Sequence, residues 1–195
     1  MVSIMNYQLF HLKDRVSSNS LRLINQIQLL HDSNSWGVFP SLFGLGSNEL
    51  YWVVMTEATK CPLQADDVEI LAHTRLQATV RPVAHVSRTR PGLYVYRWFE
   101  VSAQHVDEVV RLSGEAWETF EDGFDTEVQG LFTVSPGMRV GHATCSMLLV
   151  TWYRDLEVWQ ASRTPNPEAT KRFLARQALL DSAVPIATRL TVENS

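Results

Sequence analysis

Lysine is scarce in this sequence, and the basic residues do not cluster. Lys13, Lys60 and Lys171 are the only lysines among 17 basic residues in a chain of 195, and the formal net charge is −4. A protein that binds nucleic acid through its phosphates needs a dense patch of basic side chains. The composition therefore argues against DNA or RNA as a partner.

Cysteine is also rare, and metal-binding motifs are absent. Cys61 and Cys145 are the two cysteines, and neither belongs to a CxxC pair or a Cys/His cluster. The six histidines show no HxH or HxxxH spacing, which are common arrangements of metal ligands. We therefore predict no metal site and no bound cofactor, and we expect both cysteines to be reduced thiols.

Long apolar runs and a signal-peptide pattern are missing as well. No apolar run approaches the roughly 20 residues that a membrane-spanning helix needs. The first ten residues lack the basic region and apolar core of a secretory signal. We expect a soluble, cytoplasmic protein without a membrane partner. A GxSxG nucleophile motif is also absent, and the glycines of 44–47 indicate a hairpin turn rather than a phosphate-binding loop.

What the sequence does contain is the same order of predicted elements twice. Each half reads as strand, helix, two strands, helix and strand, and Pro91-Gly92 lies in the linker 87–92 between the halves. Aromatic and β-branched runs indicate strands, and apolar residues three and four apart indicate helices. The predicted strands are 7–13, 36–43, 49–56, 78–85, 93–101, 126–134, 146–153 and 186–192, and the predicted helices are 18–31, 64–75, 103–120 and 155–182.

The repeated order predicts an α+β fold built from tandem ferredoxin-like βαββαβ units, residues 1–88 and 89–195. Helices would cover one face of each sheet, and the apolar residues on the other face need a partner. We therefore predict that the two sheets close face to face into a barrel within one chain. Two units lying side by side are the alternative. If the barrel closes, a homodimer would have to use the outer surfaces.

The second half carries residues that resemble a known family. The first predicted strand of this half contains Tyr94-Val95-Tyr96-Arg97. The helix that follows has an acidic pair at Asp107-Glu108 and a tryptophan at Trp117, and a further helix is reached through residues 152–159. With these features the chain resembles the dimeric α+β barrel superfamily and, within it, the NIPSNAP-like family. The resemblance implies the barrel fold, with the two halves of one chain replacing the usual homodimer. It carries over no catalytic residue.

Arg97 is the first candidate for ligand binding, because a guanidinium in the middle of an apolar strand is costly unless it meets an anion. Side chains on 93–101 alternate between two faces, and Arg97 shares its face with Val95 and Phe99. If the helices take the larger aromatic surface, Arg97 faces the space between the sheets and can bind a carboxylate, enol or phenolate. A structural salt bridge is the alternative. This choice assigns to the helix side the residues of the other face, Tyr94, Tyr96 and Trp98.

The remaining site residues follow from the alternation of side chains along each strand and from side-chain chemistry. Gln129 is preferred to Gly130 because its amide could hydrogen-bond a ligand. Histidine can act as a general base near neutral pH, which favours His11 and His142. The complete predicted ligand-binding set is Gln8, Phe10, His11, Arg97, Phe99, Gln129 and His142.

Two functions remain open on these residues. The first is binding, or cofactor-independent processing of monooxygenase or isomerase type, of a small aromatic or polyketide-like ligand between the two sheets. The second is a non-catalytic binding or scaffold protein of NIPSNAP type that acts through protein partners. An open cavity would favour the first function, and a solid core would favour the second.

Overall fold

The computed structural model describes residues 5–30, 33–57, 60–135 and 144–191, and these ranges contain eight strands and four α-helices. A single 3-10 turn, Ala103–His105, precedes the second helix. The strands are β1 (Asn6–Asp14), β2 (Ser35–Phe43), β3 (Glu49–Val54), β4 (Val68–Ala78), β5 (Leu93–Ser102), β6 (Thr126–Ser135), β7 (Thr144–Tyr153) and β8 (Leu180–Arg189). The helices are α1 (Leu21–Gln28), α2 (Val106–Glu121), α3 (Leu156–Ala161) and α4 (Pro167–Gln177).

The eight strands form one closed barrel in which neighbours are antiparallel. Its order is β1-β3-β2-β8-β5-β7-β6-β4, with β4 returning to β1. The first four strands thus have the order β4-β1-β3-β2, and the last four repeat it as β8-β5-β7-β6. This is the strand order of a ferredoxin-like sheet, so the predicted α+β class and the barrel closed within one chain are confirmed. The boundary between residues 88 and 89, and a homodimer through outer surfaces, stay predictions.

The last part of the first half differs from the prediction. Residues 64–75 do not form a helix, because Val68–Ala78 is strand β4, which pairs with β1 and β6 and thereby closes the barrel. The short strand predicted at 78–85 is also wrong, because the chain has left the sheet after Ala78. Long-range pairing has overridden the local helical preference. The first half consequently has one α-helix, α1, within its described residues.

The long helix predicted at 155–182 is two helices and the start of a strand. Asp155 caps α3 by accepting a hydrogen bond from the Val158 N–H at 2.8 Å, and Asn166 caps α4 in the same way from Ala169 at 2.9 Å. Pro167 takes the first position of α4, where its missing N–H costs nothing. β8 then begins at Leu180, six residues earlier than predicted.

Large side chains fill the barrel interior. The buried cluster inside the barrel draws aromatic residues from both halves, and its rings lie in van der Waals contact, with centroids 5.0 Å apart for Tyr51–Tyr96 and for Phe39–Tyr94. An eight-stranded barrel is just wide enough for side chains to occupy its interior. The members are Tyr7, Leu9, Trp36, Phe39, Tyr51, Val53, Leu76, Tyr94, Tyr96, Phe132, Leu148, Val150, Trp152 and Leu190.

The predicted assignment of the two faces of β5 is therefore wrong. Tyr94 and Tyr96 belong to the cluster in the barrel interior, and Trp98 packs against it. Val95 and Phe99 belong instead to the clusters beneath the helices, and Arg97 lies on that same outer face. The helices contact the smaller apolar surface because the closed interior takes the larger one.

Asp14 joins the end of β1 to α1. Its carboxylate has no solvent-exposed surface and accepts two hydrogen bonds from Arg22, at 2.6 and 2.9 Å. It also accepts the backbone N–H groups of Val16 and Ser17, each at 2.9 Å. The hydrogen bond from Arg22, followed by the two backbone donors, lowers the pKa of Asp14 against the opposing effect of its burial.

We predict that Asp14→Asn lowers the free energy of unfolding at pH 7 by about 2 kcal/mol, the scale of a lost charged hydrogen-bond network. Because the pKa of Asp14 is lower in the folded state, its contribution is complete above the unfolded value and disappears as pH falls through the folded value. Urea unfolding should therefore show the difference from the parent protein shrinking below about pH 4. Asp181→Asn, an exposed position on β8, is the control; a pH-independent loss for Asp14→Asn would contradict this role.

We predict that Tyr96→Phe leaves the free energy of unfolding unchanged or raises it by about 1 kcal/mol, since a buried hydroxyl without a partner costs free energy. The Tyr96 hydroxyl has no hydrogen-bond partner among the described residues. Tyr94→Phe is the matched control and should destabilise by about 1 kcal/mol, because the Tyr94 hydroxyl donates to the Arg90 carbonyl at 2.9 Å. Chemical denaturation measures both variants, and equal losses would show that the interior offers Tyr96 an acceptor.

Candidate functional site

A cavity of about 820 Å³ lies between the outer face of the second half-sheet and its helices. We call it the helix-covered cavity. Strands β5 to β8 supply its floor, α2 and α3 supply two walls, and α4 with the preceding segment closes it. The lining residues are Arg97, Trp117, Phe120, Val128, Leu149, Thr151, Tyr153, Trp159, Ser162, Arg163, Thr164, Pro165, Thr170, Phe173, Leu174, Arg176, Gln177, Ala183 and Pro185.

Strand alternation explains which side chains form the floor. On β7, Leu148, Val150 and Trp152 point into the barrel, so the residues between them point outward. Leu149 and Thr151 consequently line the cavity. Arg97 lies opposite Leu149 on β7 and opposite Pro185 on β8, which places all three in one row across the sheet.

The helices supply aromatic walls. α2 turns Trp117 and Phe120 toward the sheet because they lie three residues apart on its buried face. α4 packs along α2, and its Phe173 meets Phe120 edge to face with ring centroids 5.3 Å apart. Trp159 from the short helix α3 completes the aromatic lining. Such a cavity offers a planar apolar molecule several ring surfaces.

The charged groups of the lining are all cationic. Arg97, Arg163 and Arg176 border the cavity, and no aspartate, glutamate or histidine does so among the described residues. Arg163 is exposed at the rim, with its guanidinium 5.9 Å from the Trp159 ring centroid. Arg97 is half-buried and Arg176 is 6% exposed. The inner part of the cavity therefore carries two positive charges.

Arg176 is held in place mainly by rings. Its guanidinium lies 5.2 Å from the Phe99 ring centroid and 5.0 Å from that of Phe173. Its Nη1 donates to Ser113 Oγ at 3.2 Å, and its Nε is buried without an acceptor among the described residues. Burial and then the charge of Arg97 lower the pKa of Arg176 to about 10, so the group stays protonated at neutral pH.

Among the predicted site residues that the structure describes, Arg97 alone lines this cavity. Its predicted neighbour Phe99 lies on the same face and carries Arg176 on its ring. Arg97 forms no ion pair with any described residue, so the alternative of a structural salt bridge finds no partner there. The predicted cavity between the two sheets does not fit the packed interior.

The three predicted residues of β1 lie in the other half of the barrel. Phe10 packs under α1 and stacks on His73, with ring centroids 4.6 Å apart. Gln8 donates to the Thr56 carbonyl at 3.2 Å and meets His73 Nε2 at 2.7 Å. His11 points to the opposite face, 2.8 Å from Glu49 and edge to face with Tyr51. The structure does not bring these residues together with Arg97.

Gln129 and His142 complete the outcome for the predicted set. Gln129 accepts a hydrogen bond from Arg88, whose guanidinium lies 5.1 Å from the Trp36 ring centroid at one end of the barrel. Gln129 is thus hydrogen-bonded to the arginine that packs on Trp36, one of the aromatic residues of the barrel interior. His142 lies outside the described residues. A ligand-binding role for either stays a prediction.

Sequence reasoning missed Arg176, although a signal was present. Ala169, Phe173 and Arg176 are spaced four and three residues apart, which places the arginine on the apolar stripe of α4. Ala169 and Arg176 are the buried residues of that helix. A charged residue on a buried stripe requires an explanation. The single long helix predicted at 155–182 gave Arg176 no defined neighbours.

Three general features of the described residues complete the description. No group of three or more His, Cys, Asp or Glu side chains there is arranged to hold a metal ion. The helices among these residues are too short or too polar to cross a membrane. The side chains of Cys61 and Cys145 are buried, and burial raises the pKa of the Cys61 thiol.

Comparison with solved structures shows the fold. An anthrone oxidase-like protein matches with a TM-score of 0.63 and 13% identity over 96% of this chain and 92% of its own. A candidate monooxygenase from Lactobacillus acidophilus matches with a TM-score of 0.57 and 9% identity over 97% of each chain. A monooxygenase-like protein from Listeria innocua matches with 0.55 and 10%, over 98% of this chain and 96% of its own. At these identities the match establishes the dimeric α+β barrel fold and nothing further.

No protein-family model matches the sequence, and no curated protein matches it significantly. The resemblance to the NIPSNAP-like family therefore finds no support beyond the residues that suggested it. The broader resemblance to dimeric α+β barrels is confirmed by the solved structures.

We predict that Arg176→Met leaves the free energy of unfolding unchanged or raises it by about 1 kcal/mol, because a buried charge without a partner destabilises the fold. Methionine can fill the space between Phe99 and Phe173, as the arginine stem does. Thermal and chemical denaturation measure the effect. A loss of more than about 2 kcal/mol would show that the arginine has a structural partner.

Proposed function

We propose that the protein binds a small aromatic or polyketide-like molecule in the helix-covered cavity. The observation that carries the proposal is the cavity itself, because about 820 Å³ lies within the range of small-molecule sites. A ligand of several fused rings would fit this volume. The packed barrel interior makes the helix-covered face the better location for such a ligand.

The lining matches the usual chemistry of such sites, which are mostly apolar with a few directed polar groups. Trp117, Phe120 and Phe173 supply ring surfaces for a flat ligand. Thr151 and Tyr153 supply hydroxyl groups from β7. The walls belong to helices packed on a closed barrel, so the site is preformed on a rigid support.

We further propose that the bound molecule is processed without a cofactor, in a reaction of monooxygenase or isomerase type. Two observations favour this over simple storage. Solved structures of this fold include proteins named as monooxygenase-like or anthrone oxidase-like. The arginines of the lining could also stabilise an enolate or phenolate, the anion from which such reactions start. The described lining residues include no carboxylate or imidazole that would act as a general base.

The binding proposal predicts that filling the cavity abolishes binding. Ala183 lines the floor on β8, and Ala183→Trp would place an indole in the space. The test probe is N-phenyl-1-naphthylamine, a neutral aromatic amine whose fluorescence rises in apolar sites. The parent protein should bind about one probe molecule, and Ala183→Trp should weaken binding at least about tenfold, since the ligand loses its apolar contacts.

The matched control is Val184→Trp, at the adjacent residue, which points to the other face of β8 and is 55% exposed. It should bind the probe as the parent protein does. Equal binding by both variants would place the probe elsewhere and remove the support for this cavity. Native mass spectrometry of the purified parent protein gives an independent measurement, through any co-purified molecule that Ala183→Trp does not retain.

A further inference from the structure

We infer that the helix-covered cavity selects ligands that carry a negative charge, and that Arg176 and Arg97 form the site that receives it. The inference rests on the proposed binding function and specifies its ligand class: a small organic anion, such as a carboxylate, enolate or phenolate, attached to an aromatic body. The supporting observations are the burial of Arg176, its missing partners and its neighbour Arg97.

Arg176 is a buried cation whose hydrogen-bonding capacity is almost unused. It is 6% exposed, and the Ser113 hydroxyl is its one acceptor among the described residues. Its Nε is also buried and has no acceptor in the part of the chain that the structure describes. A guanidinium in such surroundings destabilises the protein unless an anion completes its hydrogen bonds. Since Arg176 borders an open cavity, a bound ligand can supply that anion.

Other arginines of this chain show what a structural arginine has here. Arg22 pairs with Asp14 and Asp67, and Arg81 pairs with Glu121. On α4 itself, Arg172 lies four residues before Arg176 and pairs with Glu168 and Glu115. Arg176 has no such carboxylate among the described residues, although it is more buried than all three. The arrangement is therefore unlike the protein's own structural ion pairs.

The neighbouring charge has the same sign. Arg97 borders the same cavity and raises the cost of keeping Arg176 charged. Two cations that line one cavity without carboxylate partners among the described residues repel each other, and an anion between them would interact favourably with both. Planar guanidinium groups bind carboxylates and related oxyanions through paired hydrogen bonds. The same surface would disfavour a cationic ligand.

The ring contacts of Arg176 orient the rest of the ligand. Phe99 and Phe173 flank its guanidinium, and Trp117 of α2 and Trp159 of α3 line the same cavity. A ligand with its acidic group at the two arginines would therefore place its aromatic body against Trp117 and Trp159. Anion and rings are recognised by different residues, so their contributions can be separated by experiment.

The test uses two probes that share one aromatic skeleton. 8-Anilinonaphthalene-1-sulfonate is the anionic probe, and N-phenyl-1-naphthylamine lacks the sulfonate. Fluorescence titration with the parent protein should show tighter binding of the anionic probe. Arg176→Met should weaken that binding at least about tenfold, the scale of a lost charge-assisted hydrogen bond, and should change binding of the neutral probe less than about twofold.

Two further variants complete the design. Arg97→Met should also reduce affinity for the anionic probe selectively, and it serves as the test if Arg176→Met does not fold. Arg172→Met is the matched control, because Arg172 lies on the same helix, outside the cavity lining. It should leave both affinities unchanged. Circular dichroism and denaturation establish that each variant is folded.

The outcomes distinguish this inference from the proposed function. Selective loss of the anionic probe in the Arg176 or Arg97 variant supports the anion site. If the neutral probe binds in the cavity but the anionic probe is insensitive to both arginines, the anion site is refuted and the binding function stands. Equal weakening of both probes would make Arg176 a structural residue and also refute the inference. If neither probe binds the parent protein, the binding function fails, and the inference fails with it.

Discussion

The structure depends on the closure of eight antiparallel strands into a barrel whose interior must be filled. A barrel of this size holds side chains and little else, so strands of both halves must send enough large residues inward to fill it. Tyr94, Tyr96 and Trp152 meet that requirement from one half, and Tyr7 and Phe39 meet it from the other. Because side chains alternate along each strand, filling the interior also decides which residues face the helices.

The position of the helix-covered cavity follows from this alternation of inward and outward side chains. On β5 the outward residues are Val95, Arg97 and Phe99, which offer the helices less apolar surface than the tyrosines would have. The second half then adds α3 and α4, whereas the described residues between β3 and β4 of the first half form no helix. The two halves share a strand order but only the second carries the helix that supplies Arg176.

Sequence patterns predicted the strand order better than they predicted which strand face points into the barrel. Strands with dense aromatic or β-branched residues, such as 93–101 and 146–153, were found within three residues of their predicted bounds. Residues 68–78 were assigned to a helix, in part, because their pairing with β1 and β6 is a long-range property that local composition does not encode. The face of Arg97 was predicted wrongly for a related reason. The alternation of side chains along 93–101 was clear in the sequence, but the larger side chains of this strand pack in the barrel interior and not against the helices. Pro165 and Pro167 lie at the break between α3 and α4, which the single helix predicted at 155–182 missed, and that break defines the surroundings of Arg176.

Two arginines illustrate how a binding site differs from a structural ion pair in this protein. Arg22 meets a fully buried carboxylate, Asp14, whose Oδ1 also accepts two backbone N–H groups, so the opposite charges of Arg22 and Asp14 are paired within the fold. Arg176 is more deeply buried than Arg22 yet has one hydroxyl acceptor and a second cation nearby. Burial without compensation lowers stability, and a closed barrel with a dense aromatic interior can tolerate that loss. We infer that a bound ligand brings the balancing charge, because Arg176 borders open volume in the helix-covered cavity.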